Sequence, residues 1–488
     1  MMKNGFYVRA ALPFVCTALL LTGCKTEGVS ETQYVRLSDA ACAFRGEGNS
    51  PLTIEVHANP AEWKAEALAS WVEVTEVTAT SFTVAVADND SADTRKAEIA
   101  VRAGAAEQTI AVVQLAKDHV FPRYRCHPEF QYGTAMSPGG HYAGGFYSTY
   151  DEEGNVNQHP VIIDVATGAW TALGPYPNGL FRLFQTMCIS DAGELVIACN
   201  DGCVVMTPDG NYFRLEVPAD FTGLPEVSQV SSAGTWVGWA RKNGSSCPLK
   251  WVDGVAAELP KPALNYRDEP IGDVQARGIS ADGRIVYGTT WDNLDFGMVY
   301  WKRDGGEWKV DYVGQDVHEI KPVKMLDAFG EEMDYNLADG IICTAEYTKI
   351  SATGKWIAGS YRIETLADNR MDIVRTQYAA FYNTETETTT VVKDYGGSVG
   401  IHVTDDGIAF IGLGTMNLSS GVVYDLNTNT ELGSVEEWVH DTYGIYVPTG
   451  YINSVSPDGR VIFGTMLDMT GTQDLITIGW YVAPPAEA

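Results

Sequence analysis

Residues 276–301, "ARGISADGRIVYGTTWDNLDFGMVYW", read as three short β-strands separated by two polar turns. The first half of this stretch returns along the chain in a fixed form. An apolar residue is followed by Ser or Thr, two small or polar residues, Gly, and an apolar run that reaches another small residue. The copies are "MSPGGHYAGG" from Met136, "ISDAGELVIA" from Ile189, "VSSAGTWVGW" from Val230, "ISADGRIVYG" from Ile279, "ISATGKWIAG" from Ile350, "VTDDGIAFIG" from Val403 and "VSPDGRVIFG" from Val455. The glycines Gly140, Gly193, Gly234, Gly283, Gly354, Gly407 and Gly459 stand where a tight hairpin wants positive φ, and the Ser or Thr hydroxyl can bond the turn backbone. Gly145, Gly288, Gly359, Gly412 and Gly464 recur five residues on, with Ala198 in the second copy and Gly238 beside Trp239 in the third. Small residues at one place in successive units predict a crowded packing position.

A third strand follows in each unit, as in "PLKW", "MVYW" or "AAFYN", and usually a fourth, as in "EWKVDYV". Successive turn glycines stand 53, 41, 49, 71, 53 and 52 residues apart. Three or four strands every ~50 residues is the pattern of β-propeller blades. Seven blades are expected, and the long interval marks an insertion around "HEIKPVKMLDAFGEEMDYNLADG". The last unit ends at "IGWYVAPPAEA" with no fourth strand of its own. Residues 118–130, "DHVFPRYRCHPEF", are therefore expected to supply it, so that closure removes the exposed edges of an open stack. The repeat resembles the HAF-type extracellular repeat and, more loosely, propeller repeats built on "SPDGR" turns; the resemblance implies a fold and carries no catalytic residue.

Upstream, residues 35–117 alternate apolar and polar in short runs such as "LTIEVHA", "WVEVTEV", "SFTVAVA" and "AEIAVRA", which predicts an antiparallel β-sandwich. Asn59 before Trp63, the "SWVEV" strand with Trp71, Arg95 ahead of "AEIAV", and Gln114 in the last strand make this segment resemble the BACON domain. That family is a sandwich module at the N-termini of Bacteroidetes surface proteins, named for carbohydrate binding. The alternation places Trp71 with Val72 and Val74, so a core or spacer role is favoured over a sugar platform. The fold class expected for the whole chain is all-β: an Ig-like, BACON-like β-sandwich followed by a seven-bladed β-propeller over 118–488.

The first residues carry an address. Lys3 and Arg9 precede the apolar run "ALPFVCTALL", and "LTGC" follows. This is a bacterial secretion signal over 1–23 ending in a lipobox, with Cys24 as the lipidated residue and 24–34 as a tether. Acyl chains contribute about 0.8 kcal/mol per buried methylene and anchor an otherwise soluble domain. Lys25 after the cysteine fits onward transport to the outer membrane, on either its surface or its periplasmic face.

The chain of 488 residues carries a formal net charge of −30, which argues against a nucleic-acid partner, because phosphate binding needs clustered Lys and Arg. The seven cysteines beyond the lipobox are scattered and show no metal-ligand spacing. Cys199 and Cys203 flank Asn200-Asp201-Gly202, a three-residue hairpin loop on this reading, which would set the two across from each other for a disulfide. No H-E-x-x-H, phosphate loop or calcium loop occurs, and neither a cofactor nor a metal is called for.

If the first strand of each blade is innermost, the loops after the second strands gather on one face with the connections between blades. Those loops offer Tyr147, Tyr150, Trp239, Arg241, Tyr266, Asp268, Trp291, Asp292, Tyr361, Arg362, Trp438 and His440 as ligand-binding candidates. Aromatic faces beside Arg and carboxylates suit a glycan or an envelope protein, while some of these residues fill gaps between blades instead. The expectation is a membrane-anchored, non-catalytic binding module. Its alternatives are a polysaccharide lyase or glycoside hydrolase with two face carboxylates as acid and base, and an envelope assembly scaffold.

Overall fold

A computed structural model describes residues 33–38, 41–44, 46–91, 95–114, 123–127, 132–150, 156–173, 188–199, 202–265, 267–290, 297–304, 306–343, 349–413, 421–443, 451–468 and 476–483. Cys24, Tyr266, Trp291 and Asp292 lie outside the described residues, as do the side chains of Tyr147, Tyr150 and His440.

The N-terminal unit is a sandwich of two four-stranded sheets. One holds Tyr34–Leu37, Leu52–Asn59, Ser81–Val86 and Val72–Thr75 in spatial order; the other holds Ala41–Phe44, Ala106–Gln114, Arg95–Ala103 and Lys64–Ala67. Period-two alternation delivers Ile54, Val56, Phe82, Val84, Ile99, Val101, Ile110 and Val112 to the common core. The pairing is antiparallel except at Ala41–Phe44, which runs parallel to Ala106–Gln114.

Seven further sheets form the propeller. Blade I runs from Tyr132 to Ala172, blade II from Cys188 to Arg214, blade III from Glu226 to Glu258 and blade IV from Val274 to Tyr312. Blade V runs from Glu319 to Val392 with five strands, and blade VI from Val399 to Ser434. Blade VII takes Tyr451–Val455, Ile462–Asp468 and Ile476–Ala483 from the C-terminal end, and its outer strand is Arg123–His127, paired antiparallel from Gly479↔His127 to Ala483↔Arg123.

Each blade buries both its faces, which is why the strands read as nearly continuous apolar runs. Ala135, Phe146 and Ile162 of blade I meet Leu195, Ile197 and Val204 of blade II. Val196, Cys203 and Val205 on the other face of blade II meet Val227, Trp236 and Leu249 of blade III. The same sharing continues around to Phe463 and Tyr481 of blade VII, which pack with Ala143, Val161 and Ile163 of blade I. The ring is therefore closed by an apolar layer as well as by a strand pair.

The repeated turn is built alike in all seven copies. The glycine N–H donates to the Ser or Thr carbonyl at 2.8–3.0 Å, and every turn glycine has φ between 69° and 87°. The hydroxyl accepts from a backbone N–H at the start of the next strand, as in Ile285 N to Ser280 Oγ (3.1 Å) and Val461 N to Ser456 Oγ (2.9 Å). Neighbouring turns are then fastened to one another: Gly139 N to Asp191 Oδ1 (2.8 Å), Ser232 N to Ala281 O (2.8 Å), and Thr353 Oγ1 to Asp405 Oδ1 (2.8 Å).

The crowded position has an equally direct cause. In blade IV the first strand slips register between Ala276 and Gly278, a β-bulge opposite Gly288, and a Cβ on Gly288 would stand 2.2 Å from the Gln275 carbonyl oxygen. In blade III a Cβ on Gly238 would stand 2.0 Å from the Glu226 carbonyl oxygen. The third-strand tryptophans are also repeated in role. Trp251 and Trp301 are fully buried, and each donates its indole N–H at 2.7 Å to a backbone carbonyl just past the preceding blade, Glu216 and Pro260.

One expectation is corrected. No disulfide joins Cys199 and Cys203; both are thiols. The hairpin closes on two residues, with Cys199 paired to Gly202 and Cys203 to Ala198. A loop one residue shorter than expected turns the two side chains to opposite faces: Cys199 packs towards blade I and Cys203 towards blade III.

Replacing Gly288 by Ala forces the inner strand off its neighbour. Overpacking of this kind costs about 1–3 kcal/mol, so Gly288→Ala is expected to lower the denaturant midpoint of the propeller without changing its far-ultraviolet circular dichroism.

Candidate binding face

The first strand of each blade starts on the face that also carries the connections after the second strands, and the Ser-x-x-Gly turns lie on the other. On the loop face, several stretches expected as loops continue as strands. In blade III the second strand runs to Lys242 and the third begins at Ser245, joined by Asn243-Gly244 with φ of 51° and 87°. Trp239 and Arg241 therefore sit in a strand beside a two-residue turn. Tyr147 and Tyr150 fall in the strand Tyr142–Tyr150. Trp438 and His440 lie on a helix, Val435–Tyr443, where Trp438 packs edge-on against Phe410 at 5.4 Å and fills the space beside blades VI and VII.

Blade V departs most from its neighbours. The insertion forms a hairpin, Glu319–Leu326 with Glu332–Ile342, and the second and third strands extend to eleven residues each, Trp356–Leu366 with Ile373–Asn383. The two hairpins pair in register at Gly340↔Arg362, Ile341↔Tyr361 and Ile342↔Ser360, and the ladder stops there.

Charged side chains fill the seam where they part. Glu364, fully buried, receives a bidentate pair from Arg267 (2.9 and 3.0 Å), a bond from Arg375 Nε (3.0 Å) and the Ala338 N–H (3.1 Å), with Arg362 Nε at 3.6 Å. Asp339 accepts from Lys321 Nζ (2.6 Å) and from the Glu364 N–H (2.9 Å). Arg267 is delivered by the connection between blades III and IV, where Asn265 Oδ1 accepts the N–H of Arg267 (2.8 Å) and Glu269 (2.9 Å). Its guanidinium also lies over the Tyr335 ring at 5.4 Å.

Burial pushes the Glu364 carboxyl up, but the hydrogen bonds from Arg267 and Ala338 and the charges of Arg267 and Arg362 more than offset it, leaving the group below its usual range. His318 also lies below its usual value: burial lowers it, with Asp268 and Asp339 pulling it back. Burial raises Tyr361, helped by Asp339 and Glu319. Of the sequence candidates, Asp268, Tyr361 and Arg362 are thus gathered around this seam, while Trp239, Arg241 and Trp438 belong to other blades. Sequence reasoning passed over Arg267, His318, Lys321, Asp339, Glu364 and Arg375. Alternating charge in "YRIETL" is a local sign of Glu364.

The carboxylates here are committed to holding the two hairpins together, since both oxygens of Glu364 are filled by cations and an N–H. Among the described residues, no group of three or more His, Cys, Asp or Glu is placed to hold a metal, and no helix is long and apolar enough to cross a membrane.

In the sandwich, the residues that carry the family resemblance make one internal cluster. The Arg95 guanidinium lies over the Trp71 ring at 4.5 Å and donates to Gln114 Oε1 (2.9 and 2.7 Å) and to the Ala87 carbonyl (2.6 Å). Buried Gln114 donates to the Gly46 carbonyl at 3.1 Å. Trp63 donates to the Ala79 carbonyl (3.0 Å) and packs against Phe82. A guanidinium already occupies one face of Trp71, so these tryptophans hold the fold.

Residues 61–115 match the BACON family, described as "Putative binding domain, N-terminal". No curated protein matches the chain. Solved structures similar to it include TolB from Acinetobacter baumannii (11% identity, 61% of this chain and 60% of that one, TM-score 0.30). A gluconolactonase, XC5397 from Xanthomonas campestris, is similar at 10% identity over 75% of this chain and 90% of that one, TM-score 0.32. The β-propeller domain of the Trilobed protease from Pyrococcus furiosus is similar at 10% identity over 71% and 95%, TM-score 0.28. The chain spans only about three fifths of TolB. At these identities the likenesses carry no reading of activity.

Removing one partner of a buried ion cluster leaves the others uncompensated, at a cost of about 3–5 kcal/mol. Glu364→Gln is expected to leave the ring folded but to open residues 319–383 to limited proteolysis. Because the folded Glu364 titrates below its ordinary value, its stabilisation is fully present above the ordinary carboxylate range. It is lost as pH falls through the lowered folded value, and this acid sensitivity should be absent in the variant.

Proposed function

We propose that this protein is a non-catalytic binding module held at the outer membrane by a lipid on Cys24, with the sandwich as spacer and the propeller's loop face engaging a glycan or protein ligand. The observation that carries the reading is the build of blade V. Its paired hairpins overrun the ring on the loop face, and a buried ion cluster that ring closure does not need locks them together. Rigid scaffolds that spend structure on one projecting face do so for recognition. The match of residues 61–115 to a binding-domain family agrees with it. The enzyme alternative needs a pair of carboxylates open to a substrate, whereas Glu364 and Asp339 are engaged within the protein.

The test is a glycan array and a partner pull-down with the folded protein beside its Glu364→Gln variant, together with palmitate labelling of the wild type and Cys24→Ser. Label confined to the protein with Cys24, and ligand retention that falls when the hairpins are loosened, are the expected results. Blank array and pull-down from an intact fold, or release of reducing ends or unsaturated products from polysaccharides, would sink the reading.

A further inference from the structure

Each hairpin of blade V ends in a turn whose backbone N–H groups are held by an Asp or Asn side chain. In the first, Asp327 Oδ1 accepts the N–H of Phe329 (2.8 Å) and Glu331 (2.9 Å), the Gly330 N–H donates to the Asp327 carbonyl (3.0 Å), and Gly330 has φ 85°. In the second, Asn369 Oδ1 accepts the N–H of Met371 (3.0 Å) and Asp372 (3.2 Å), and the Arg370 N–H donates to the Ala367 carbonyl (2.9 Å). The turns are also fastened to each other. The Leu326 N–H donates to the Arg370 carbonyl (2.8 Å), while the Arg370 guanidinium reaches the Lys324 carbonyl (3.1 Å) and Glu332 (2.8 Å).

This doubly tied tip holds apolar side chains out in water. Phe329 is 91% exposed, Val374 50%, Met371 46% and Met333 45%. Single exposed apolar residues are ordinary, but four on one stiff projection are not. Exposed Met and Phe on a backbone fixed before binding make a surface that loses little entropy when covered.

Charge identifies what covers it. Around the tip stand Asp327, Glu331, Glu332, Asp334, Asp368 and Asp372 against Lys324 and Arg370, while Arg375, next after Val374, is held by Glu364 at 3.0 Å. Lys324 and Arg370 are spoken for, by Asp334 (2.6 Å) and Glu332 (2.8 Å). The rim is therefore strongly negative. A second copy of this chain, with its formal charge of −30, is repelled, and so is an anionic lipid surface.

We infer that the tip of blade V is a docking surface for a different protein, one that presents an apolar hollow ringed by Lys and Arg. This inference rests on the binding-module reading and narrows it to one partner class at one place.

The experiment places a benzophenone amino acid at position 329 of the full-length chain in its host and irradiates intact cells. Expected is one dominant adduct with a different protein. Once purified, that protein should bind the wild-type chain in solution with an affinity that falls about tenfold or more in Phe329→Ser/Met371→Ser. Binding should also weaken as salt rises from about 0.05 to about 0.5 M, as charge complementarity requires. The melting curve of the variant should be unchanged, because the substituted side chains are exposed. Adducts only with this chain itself, with lipid, or with nothing overturn the inference, as does a captured protein whose affinity ignores the two substitutions or the salt. A ligand found on the array or in the pull-down that binds the double variant as well as wild type overturns the tip while leaving the loop-face reading standing.

Discussion

Every blade of this propeller has two apolar faces, and no blade can cover both by itself. That constraint organises the rest of the molecule. Each sheet is stable only between two neighbours, so an open row would leave two unprotected layers and two unpaired edges. Closure answers both needs at the same joint, where Phe463 and Tyr481 pack on Ala143 and Ile163 while Arg123–His127 completes the outer edge of blade VII. The repeated Ser-x-x-Gly turns then tie blade to blade on one face. That leaves the opposite face free to vary.

The repeat was legible because its physical demands are local and severe. A glycine at φ near 75°, a hydroxyl over the turn, and a second glycine beneath a bulged inner strand admit few substitutes, so seven copies preserve them. The closing strand was readable from a deficit, since blade VII lacks a fourth strand of its own. The cysteine pair was misjudged because a hairpin loop of two residues and one of three look alike in sequence but place a side chain on opposite faces. The helix at Val435–Tyr443 escaped notice because it interrupts an otherwise strict β-pattern for two turns only.

The seam in blade V was legible only in fragments. Asp268, Tyr361 and Arg362 stood out as loop residues, but their partners come from three distant stretches: the connection at 264–270, the insertion at 319–342 and the long hairpin at 356–383. Nothing in a linear reading joins Arg267 to Glu364, 97 residues away, because their meeting depends on where two hairpins part. In the sandwich the reverse held. Trp71, Arg95 and Gln114 were noticed as a family pattern, and their spacing records a single stacked and hydrogen-bonded cluster.

The closing strand also sets an order of events during synthesis. Residues 123–127 leave the ribosome before any blade exists, yet the strand they pair with among the described residues is Ile476–Ala483. The segment waits without that partner while some three hundred and fifty residues emerge. A nascent or truncated chain that stops short of residue 476 carries a bare β-edge at each end of its row of blades, open to pairing with other chains. Ile476–Ala483 is therefore the strand that locks the circle.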